Sequence, residues 1–235
     1  MTLFFLNDTD SNLLTLPQEE SKHCVKVLRM GAGEELYITN GNGTMCRCRI
    51  LSPDAKGCVV EVVDRKTDYG RRSHYLHIAV APTKNTARLE WFVEKAVETG
   101  IDEITPIMCD HSERTTLKTE RLDKIVVSAM KQSLKAYKPR INEPVRLTDF
   151  LDTRFPDPFA KLICHCDGDH RTPLREVCHK GDNALVLIGP EGDFSEREID
   201  KALSNGFQPV TLGDCRLRTE TAALYATIAI NFLNT

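Results

Sequence analysis

The sequence predicts an α/β protein in which a parallel sheet with covered faces follows a small antiparallel β-barrel. From residue 73 onward, short apolar runs alternate with helical periodicities, which is typical of strands joined by helical crossovers. Residues 1 to about 70 instead contain consecutive hairpins, which favour a barrel. The chain has 235 residues, enough for two domains. We place the boundary in the polar segment 64–72 and predict domains at 1–70 and 73–235.

The N-terminal part is organised by a strong hairpin signal, the turn Asn40-Gly41-Asn42-Gly43. Asn and Gly tolerate the positive φ angles that tight hairpin turns need. The elements predicted here are strands at 35–39, 45–50 and 58–63, a second turn at 52–57, and a helix near 19–28 that carries His23, Lys26 and Arg29.

The C-terminal part reads as strands and helices in alternation. Its first helix has apolar residues at helical spacing and ends at Gly100, while Ser195 and Glu198 fit a capping box at the start of a later helix. The predicted elements are strands at 77–81, 104–108, 162–164, 185–188 and 209–212, and helices from about 89 to 97, 122 to 134, 196 to 206 and 219 to 232.

The composition is that of a soluble globular protein, with 41% hydrophobic and 28% charged residues. No apolar run approaches the ~18 residues of a membrane-spanning helix. Residues 1–8 lack a basic leader, so we expect a cytoplasmic protein. Nine cysteines form no regular framework, which indicates free thiols in a reducing compartment.

Charge is distributed unevenly along the chain. The net charge is −3, yet residues 114–146 contain nine basic side chains against three acidic ones. A local excess of this kind is expected where a surface meets phosphate. A solvated helix face would explain it equally well.

Two glycine-containing turns, each between a predicted strand and a predicted helix, are the best candidate for a binding site. The first contains Gly189 and Gly192, and the second contains Gly213. Such turns present bare backbone groups to a ligand. Neither matches a dinucleotide or phosphate-binding motif, and the chain has no H-E-x-x-H pair or G-x-S-x-G elbow. The two turns therefore predict a small-molecule pocket of another kind.

Cys164-His165-Cys166 is the best candidate for a metal site, with Asp167, Asp169 and His170 following it. A single C-x-C places its thiolates poorly for a closed tetrahedral site, and no C-x-x-C completes one. Buried thiols beside a polar loop explain the segment better, so we expect no metal.

Four stretches resemble the signatures of the RsmE family, the 16S ribosomal RNA uridine N3-methyltransferases of the SPOUT class. The two glycine turns supply LIGPEG at 187–192, and LG at 212–213 with LRTETA at 217–222. The third, HCVKVLRMG at 23–31, is similar to the family's N-terminal signature, and residues 90–100 with ITP at 104–106 are similar to its central one. The resemblance runs through nearly the whole chain in the family's order.

The resemblance implies a PUA-like β-barrel that binds RNA, followed by a SPOUT methyltransferase domain whose C-terminal segments form a trefoil knot. It implies that the knot binds S-adenosylmethionine and that the active site lies at a homodimer interface. The implied reaction methylates N3 of a specific uridine in 16S ribosomal RNA or the small ribosomal subunit. No metal is required.

The resemblance also suggests roles for individual residues. Arg218 is expected to stabilise the uridine anion, although it could instead hold the loop together through Glu220. Glu191 is expected to line the cofactor pocket or reach the RNA site, although it could simply cap loop N–H groups. The expected cofactor-binding residues are Ile188, Gly189, Glu191, Gly192, Leu212, Gly213, Leu217, Arg218 and Thr219. The expected RNA-binding residues are Arg29, Lys84, Arg88, Arg114, Lys131 and Lys135.

Two positions depart from the family's pattern. Asp193 stands where many members have a second Gly, and Lys131 stands where many have Glu. Asp tolerates left-handed backbone better than most residues, so we expect the turn to survive. Lys131 adds positive charge to the expected RNA surface.

Two other functions remain open on sequence alone. One is a catalytically silent RNA-binding or ribosome-assembly protein with the same fold. The other is a different SPOUT specificity, such as a transfer-RNA ribose methyltransferase, which the N-terminal barrel and the Arg29 segment disfavour.

Overall fold

A computed structural model describes residues 1–153, 155, 159–166 and 171–235. They group into two compact units, Met1–Arg71 with Val127–Lys138, and Arg72–Val126 with Pro139–Thr235. Within these ranges, every helix is too short or too polar to cross a membrane.

A five-stranded sheet forms the first unit. Its elements are β1 Leu3–Phe5, β2 Leu13–Thr15, α1 Gln18–Lys22 with a π-helical turn at His23–Val27, β3 Glu35–Thr39, β4 Met45–Ser52 and β5 Val59–Lys66. The strand order is β1-β3-β4-β5-β2, and the predicted hairpin between β3 and β4 is confirmed. β1 pairs with β3 in parallel, which the hairpin pattern did not predict. Parallel pairing is possible because β2 and α1 lie in the long connection between these two strands.

The core of this unit follows the alternation of β4. Cys46, Cys48 and Ile50 point inward and are almost fully buried, whereas Arg49 is exposed. Residues 127–138 close the hairpin turn, where the Lys138 N–H donates to the Gly41 carbonyl at 2.8 Å.

The predicted linker at 64–72 begins too early. Asp64, Arg65 and Lys66 are the last three residues of β5 and pair with β4 in antiparallel register. The loop prediction was wrong here because it relied on the polarity of these residues. Their backbone still pairs with β4 beyond the buried part of the strand. The Arg65 guanidinium also donates to the Thr9 carbonyl at 2.7 Å.

A parallel sheet forms the second unit, as predicted. Its strands are β6 Leu76–Val80, β7 Glu103–Met108, β8 Arg140–Ile141, β9 Val145–Arg146, β10 Phe159–Cys164, β11 Thr172–Pro173, β12 Asn183–Ile188 and β13 Gln208–Thr211. The order is β11-β13-β10-β12-β6-β7-β8, with β9 beside β7. The central strands β6 and β12 are almost fully buried, which explains their unbroken apolar runs.

Six helices are described from residue 86 onward. They are α2 Thr86–Thr99, α3 Thr119–Gln132, α4 Leu147–Leu151, α5 Leu174–Val177, α6 Glu196–Ser204 and α7 Thr219–Leu233, of which the last part of α3 belongs to the first unit. Gly100 follows α2 with a φ of 114°, and the Ser195–Glu198 capping box of α6 is present, so both end signals are confirmed. α7 packs on α2, β6 and β12. The trefoil knot remains a prediction from the resemblance.

Candidate functional site

The first glycine turn follows directly from β12 and needs glycine because neighbouring side chains lie close. A Cβ added at Gly189 would lie 3.0 Å from the ring of Phe194, and one added at Gly192 would lie 3.1 Å from Cβ of His111. Phe194 is itself buried. The space around both glycines is therefore filled by the protein's own packing.

Asp193 carries the left-handed conformation of this turn, with a φ of 63°. The expectation that the turn tolerates Asp here is confirmed. Its carboxylate accepts hydrogen bonds from the N–H of Phe194 at 2.8 Å and from the N–H of Cys166 at 2.7 Å. A glycine would supply the φ angle without these bonds, so Asp193 also joins the turn to the residues after β10.

His111 braces the same turn from another side. Its Nδ1 lies 3.1 Å from the Gly192 carbonyl oxygen and 3.2 Å from that of Asp193. Nearby, the Ser195 hydroxyl donates to Asp110 at 2.6 Å, and buried Glu198 accepts from the Asp110 N–H at 2.9 Å. The first turn is thus fixed by several elements.

The second turn needs glycine for its backbone rather than for space. Gly213 has a φ of 119°, and an added Cβ would have no atom within 4 Å. Its neighbours from Asp214 to Arg216 are exposed. This turn forms an open rim.

Thr219 connects the first turn to the helix that follows the second turn. It is the first residue of α7, it is buried, and its hydroxyl donates to the Gly189 carbonyl at 3.0 Å. The first turn therefore meets the N-terminus of α7, which follows the second turn, through two residues thirty positions apart in sequence.

A groove of about 660 Å³ lies between the end of β10 and the second turn. It includes three of the expected cofactor-binding residues, Leu212, Gly213 and Leu217. The other expected ones are not among its lining residues. The full lining is Cys164, His165, Cys166, Arg171, Val210, Thr211, Leu212, Gly213, Asp214, Cys215, Arg216, Leu217 and Ala222.

A second groove of about 660 Å³ lies beside the first turn and is lined by Gly192, among others. Cys166 lines both grooves. Ile188 is buried at the end of β12, so it supports the wall rather than facing either groove.

The two expected catalytic residues are both exposed. Arg218 is the N-cap residue of α7, and its side chain makes no capping hydrogen bond. Among the described ion pairs, Glu220 is matched with Arg88 rather than with Arg218. Glu191 accepts a hydrogen bond from the Lys84 N–H at 3.1 Å, so it does cap a backbone donor, on a segment distant in sequence.

Three of the expected RNA-binding residues belong to the second unit and are close to the first turn or to α7. The Lys84 ammonium is 2.7 Å from Glu113, and Arg114 donates to the Lys84 carbonyl at 3.1 Å. Arg88 is 3.8 Å from Glu220. All three side chains therefore already interact with other residues of this protein.

The other three belong to the first unit. Arg29 is exposed, with a φ of 56°. Lys131 donates to the Glu20 carboxylate at 2.6 Å and lies 5.8 Å from the centre of the Phe4 ring. Its charge is therefore largely compensated inside the unit. Lys135 is half-buried.

No group of three or more His, Cys, Asp or Glu in the described part of the chain could hold a metal ion. Asp167, Asp169 and His170, which belong to the candidate segment, lie outside the described residues. Burial raises the pKa of the Cys164 thiol to about 12. All nine cysteines are free.

Sequence reasoning missed His111, Trp91 and the pairing of Glu220. A lone His gives no pattern, and the contact of His111 with the first turn joins residues about eighty positions apart. Trp91 is the only tryptophan in the chain and is 42% exposed on α2. The signal in the sequence was a large apolar side chain at a solvent-facing position of a helix.

Comparison with known proteins assigns this fold to a family. The model of the RNA methyltransferase domain matches residues 71–231, and that of the RNA methyltransferase PUA domain matches residues 16–63. The ribosomal RNA small subunit methyltransferase E of Aquifex aeolicus is 30% identical over 99% of this chain and 100% of its own length. This chain belongs to the RsmE family.

Solved structures of RsmE-like proteins share the whole fold. A probable rRNA-methyltransferase from Porphyromonas gingivalis is 42% identical with a TM-score of 0.92, covering 100% of this chain and 98% of its own. The ribosomal RNA small subunit methyltransferase E of Neisseria gonorrhoeae, bound to S-adenosyl methionine, is 28% identical with a TM-score of 0.88. It covers 100% of this chain and 98% of its own. The predicted resemblance is thereby confirmed at the level of the family and the fold.

Proposed function

We propose that this protein transfers a methyl group from S-adenosylmethionine to N3 of a specific uridine in 16S ribosomal RNA. The observation that carries the proposal is the hydrogen bond from Thr219 to Gly189, which joins the helix after the second turn to the first turn. The second turn lines a groove of suitable size, in a chain of the RsmE family. The Neisseria relative contains S-adenosyl methionine, and the curated relatives are ribosomal RNA methyltransferases by name.

The residues of the groove fit this cofactor. About 660 Å³ is within the usual range for small-molecule sites. Val210, Leu212, Leu217 and Ala222 supply apolar surface for a purine ring, and the backbone of the second turn supplies polar groups at its edge. A side chain at Gly213 would extend into the open space beside this edge.

When bound, S-adenosylmethionine supplies an electrophilic methyl group on a sulfonium. The chain's own task is then to orient the base and to stabilise the negative charge that N3 deprotonation places on the uracil carbonyl oxygens. Arg218 has the charge and exposure for this role. We also assign Glu191 and the backbone of Gly189 and Gly192 to cofactor binding, from the first turn, which lies outside the lining of this groove.

We assign RNA binding to residues 1–70 and methyl transfer to residues 73–235, in the cytoplasm. Positive charges on both units would position the RNA through its phosphates. They are Arg29, Lys131 and Lys135 in the first unit and Lys84, Arg88 and Arg114 in the second.

We further propose that the protein is a homodimer. α7 carries an exposed apolar stripe in Tyr225, Ile228 and Phe232, which are 50%, 47% and 75% exposed. Such stripes are typical of surfaces that another chain covers. Ile228→Asp should therefore yield monomers in light scattering after size exclusion, and a dimer that survives the change would place the interface elsewhere.

Two measurements test the activity. Calorimetric titration should detect S-adenosylmethionine binding, and no binding at about 1 mM cofactor would favour a catalytically silent RNA-binding protein. Mass spectrometry of ribosomal RNA from a strain lacking the gene should show loss of N3-methyluridine. Unchanged N3-methyluridine would contradict the proposed substrate.

A further inference from the structure

The turn that follows α1 carries an exposed apolar pair. Val27 and Leu28 are 66% and 40% exposed, although the neighbouring Cys24 is completely buried. In an α-helix, the residues three and four positions after Cys24 would share its face and would be buried with it. The backbone is π-helical instead, and the Leu28 N–H donates to the His23 carbonyl, five residues back, at 2.9 Å. This wider turn therefore holds both apolar side chains in solvent.

The same turn is tied to the rest of the first unit. The Ser21 hydroxyl donates to the Leu16 carbonyl at 2.9 Å and accepts from the Cys58 N–H at 2.9 Å. At the other end, the Met30 N–H donates to the Cys24 carbonyl at 3.1 Å. The apolar pair thus belongs to a segment with a fixed backbone. π-Helical turns of this kind are frequent at functional sites.

Arg29 follows the apolar pair in a conformation that usually belongs to glycine. Its φ is 56°, and the position after a helix adopts this left-handed region most easily when it has no Cβ. An arginine is therefore present here against the preference of the backbone. Unfavourable backbone positions of this kind cluster at binding sites, where the side chain is needed.

The segment also carries positive charge that the protein itself does not neutralise. Lys22, Lys26 and Arg29 are exposed. None of the ion pairs within residues 1–153, 155, 159–166 and 171–235 includes any of them. Glu20, the closest carboxylate in sequence, is paired with Lys131 at 2.6 Å. Apolar and cationic side chains are thus presented together.

An RNA segment supplies the partners that both kinds of side chain need. Its phosphates attract exposed cations. Its bases offer apolar faces, and aliphatic side chains of nucleic-acid-binding proteins insert between base steps. The match to the RNA methyltransferase PUA domain, over residues 16–63, includes this segment. Charge and family together favour RNA as the occupant.

We propose that Val27 and Leu28 insert between unstacked bases of the substrate RNA, while Lys22, Lys26 and Arg29 bind the flanking phosphates. We call residues 22–29 the apolar tip. The inference rests on the proposed function and deepens it, because N3 of uridine lies on the Watson–Crick edge. A paired target is therefore inaccessible until the RNA is opened, and a wedge between bases stabilises opened RNA.

The salt dependence of binding separates the two kinds of contact. The probes are 16S ribosomal RNA and small ribosomal subunits from a strain lacking the gene. The double variant Val27→Ser/Leu28→Ser should bind about tenfold more weakly, because apolar burial is lost. The slope of log K against log salt concentration should stay the same, because no phosphate contact is removed. Lys26→Gln should instead reduce the magnitude of this slope by about one.

The double variant Leu13→Ser/Leu51→Ser is the matched control. Leu13 and Leu51 lie on β2 and β4 of the same unit and are 58% and 47% exposed, so they resemble the apolar pair in size and exposure. This control should bind both probes as the wild-type protein does. Circular dichroism should show wild-type folding for both double variants, because all four side chains are exposed.

A photoreactive benzoylphenylalanine in place of Val27 identifies the occupant directly. On small ribosomal subunits it should cross-link to 16S ribosomal RNA. Cross-linking only to a ribosomal protein or to a second copy of this chain, or the absence of an RNA cross-link, would overturn the apolar tip. Wild-type affinity of Val27→Ser/Leu28→Ser for both probes would overturn it as well.

Methyl transfer by the wild-type protein is measured in parallel, so that the two proposals can fail separately. Transfer together with unchanged binding by Val27→Ser/Leu28→Ser would refute the apolar tip and leave the proposed function intact. An RNA cross-link from position 27 without methyl transfer would do the reverse.

Discussion

The two glycine turns perform equivalent tasks in the fold but are built on different physical demands. In the first turn, glycine is favoured at 189 and 192 because a Cβ at either position would press on Phe194 or His111, and Asp193 takes the left-handed conformation. In the second turn, Gly213 itself is left-handed and surrounded by open space. We call the first turn the wall, because contacts with other elements hold it, and the second turn the rim, because it is open. Glycine serves packing in the wall and backbone geometry in the rim.

The largest expected effect concerns the chemistry that we assign to the rim. Arg218→Ala should lower kcat by about 10²- to 10³-fold, the usual loss when one donor to a developing negative charge is removed. The fold should persist because Arg218 is exposed. Arg175→Ala, at an exposed position on α5, is the control in a methyl-transfer assay. Full activity of Arg218→Ala would remove this residue from the mechanism.

The next effect tests the packing of the wall. Gly189→Ala should lower the free energy of unfolding by about 2 to 3 kcal/mol, because its Cβ would press on the Phe194 ring. Phe194→Leu should recover part of this loss in the double variant. Denaturant titration measures both.

Gly213→Ala is the contrasting variant for the rim. Backbone strain should cost about 1 to 3 kcal/mol there, and no truncation should relieve it because no side chain is near. We expect Phe194→Leu to rescue Gly189→Ala but not Gly213→Ala. Rescue of both variants, or of neither, would contradict the distinction between wall and rim.

Two substitutions of Asp193 separate the effect of backbone conformation from that of hydrogen bonding within the wall. Asp193→Gly keeps the backbone accessible and removes only the bonds to the N–H groups of Cys166 and Phe194, which should cost about 1 kcal/mol. Asp193→Ala should cost about 1 kcal/mol more, because a Cβ disfavours the φ of 63°. Equal stabilities of the two variants in denaturant titration would show that the left-handed angle carries no strain.

The smallest effect compares two exposed thiols, Cys166 beside the wall and Cys215 in the rim. Burial and the neighbouring Asp193 carboxylate raise the pKa of Cys166. At pH 8 a raised pKa means less thiolate and slower alkylation. Asp193→Asn removes the negative charge, so alkylation of Cys166 by iodoacetamide should become a few-fold faster in peptide mass spectrometry.

Cys215 provides the internal control for that experiment, because the described hydrogen bonds of the Asp193 carboxylate join it to Cys166 and Phe194. Its alkylation rate should stay the same in Asp193→Asn. A parallel change at both thiols would indicate a general opening of the structure instead of a local charge effect.

Structural features that depend on residues close together in sequence could be predicted. The hairpin at residues 40–43, the end of α2 at Gly100 and the Ser195–Glu198 box each depend on residues within a few positions, and all are present. The left-handed Asp193 belongs with them, since its tolerance is a property of one side chain. The family resemblance likewise rests on contiguous motifs, and the comparisons confirm it.

Contacts that depend on the order of strands could be decided only by the tertiary structure. β5 extends through Lys66 because β4 lies beside it, although the local sequence reads as a loop. Lys131 is paired with Glu20, and Glu220 with Arg88, across more than a hundred residues in each case. The sequence by itself determined the turns, caps and family. The meeting of Thr219 with Gly189, and the buried oxygen of Glu220, arise only when distant segments pack, because such contacts leave no periodic pattern along the chain.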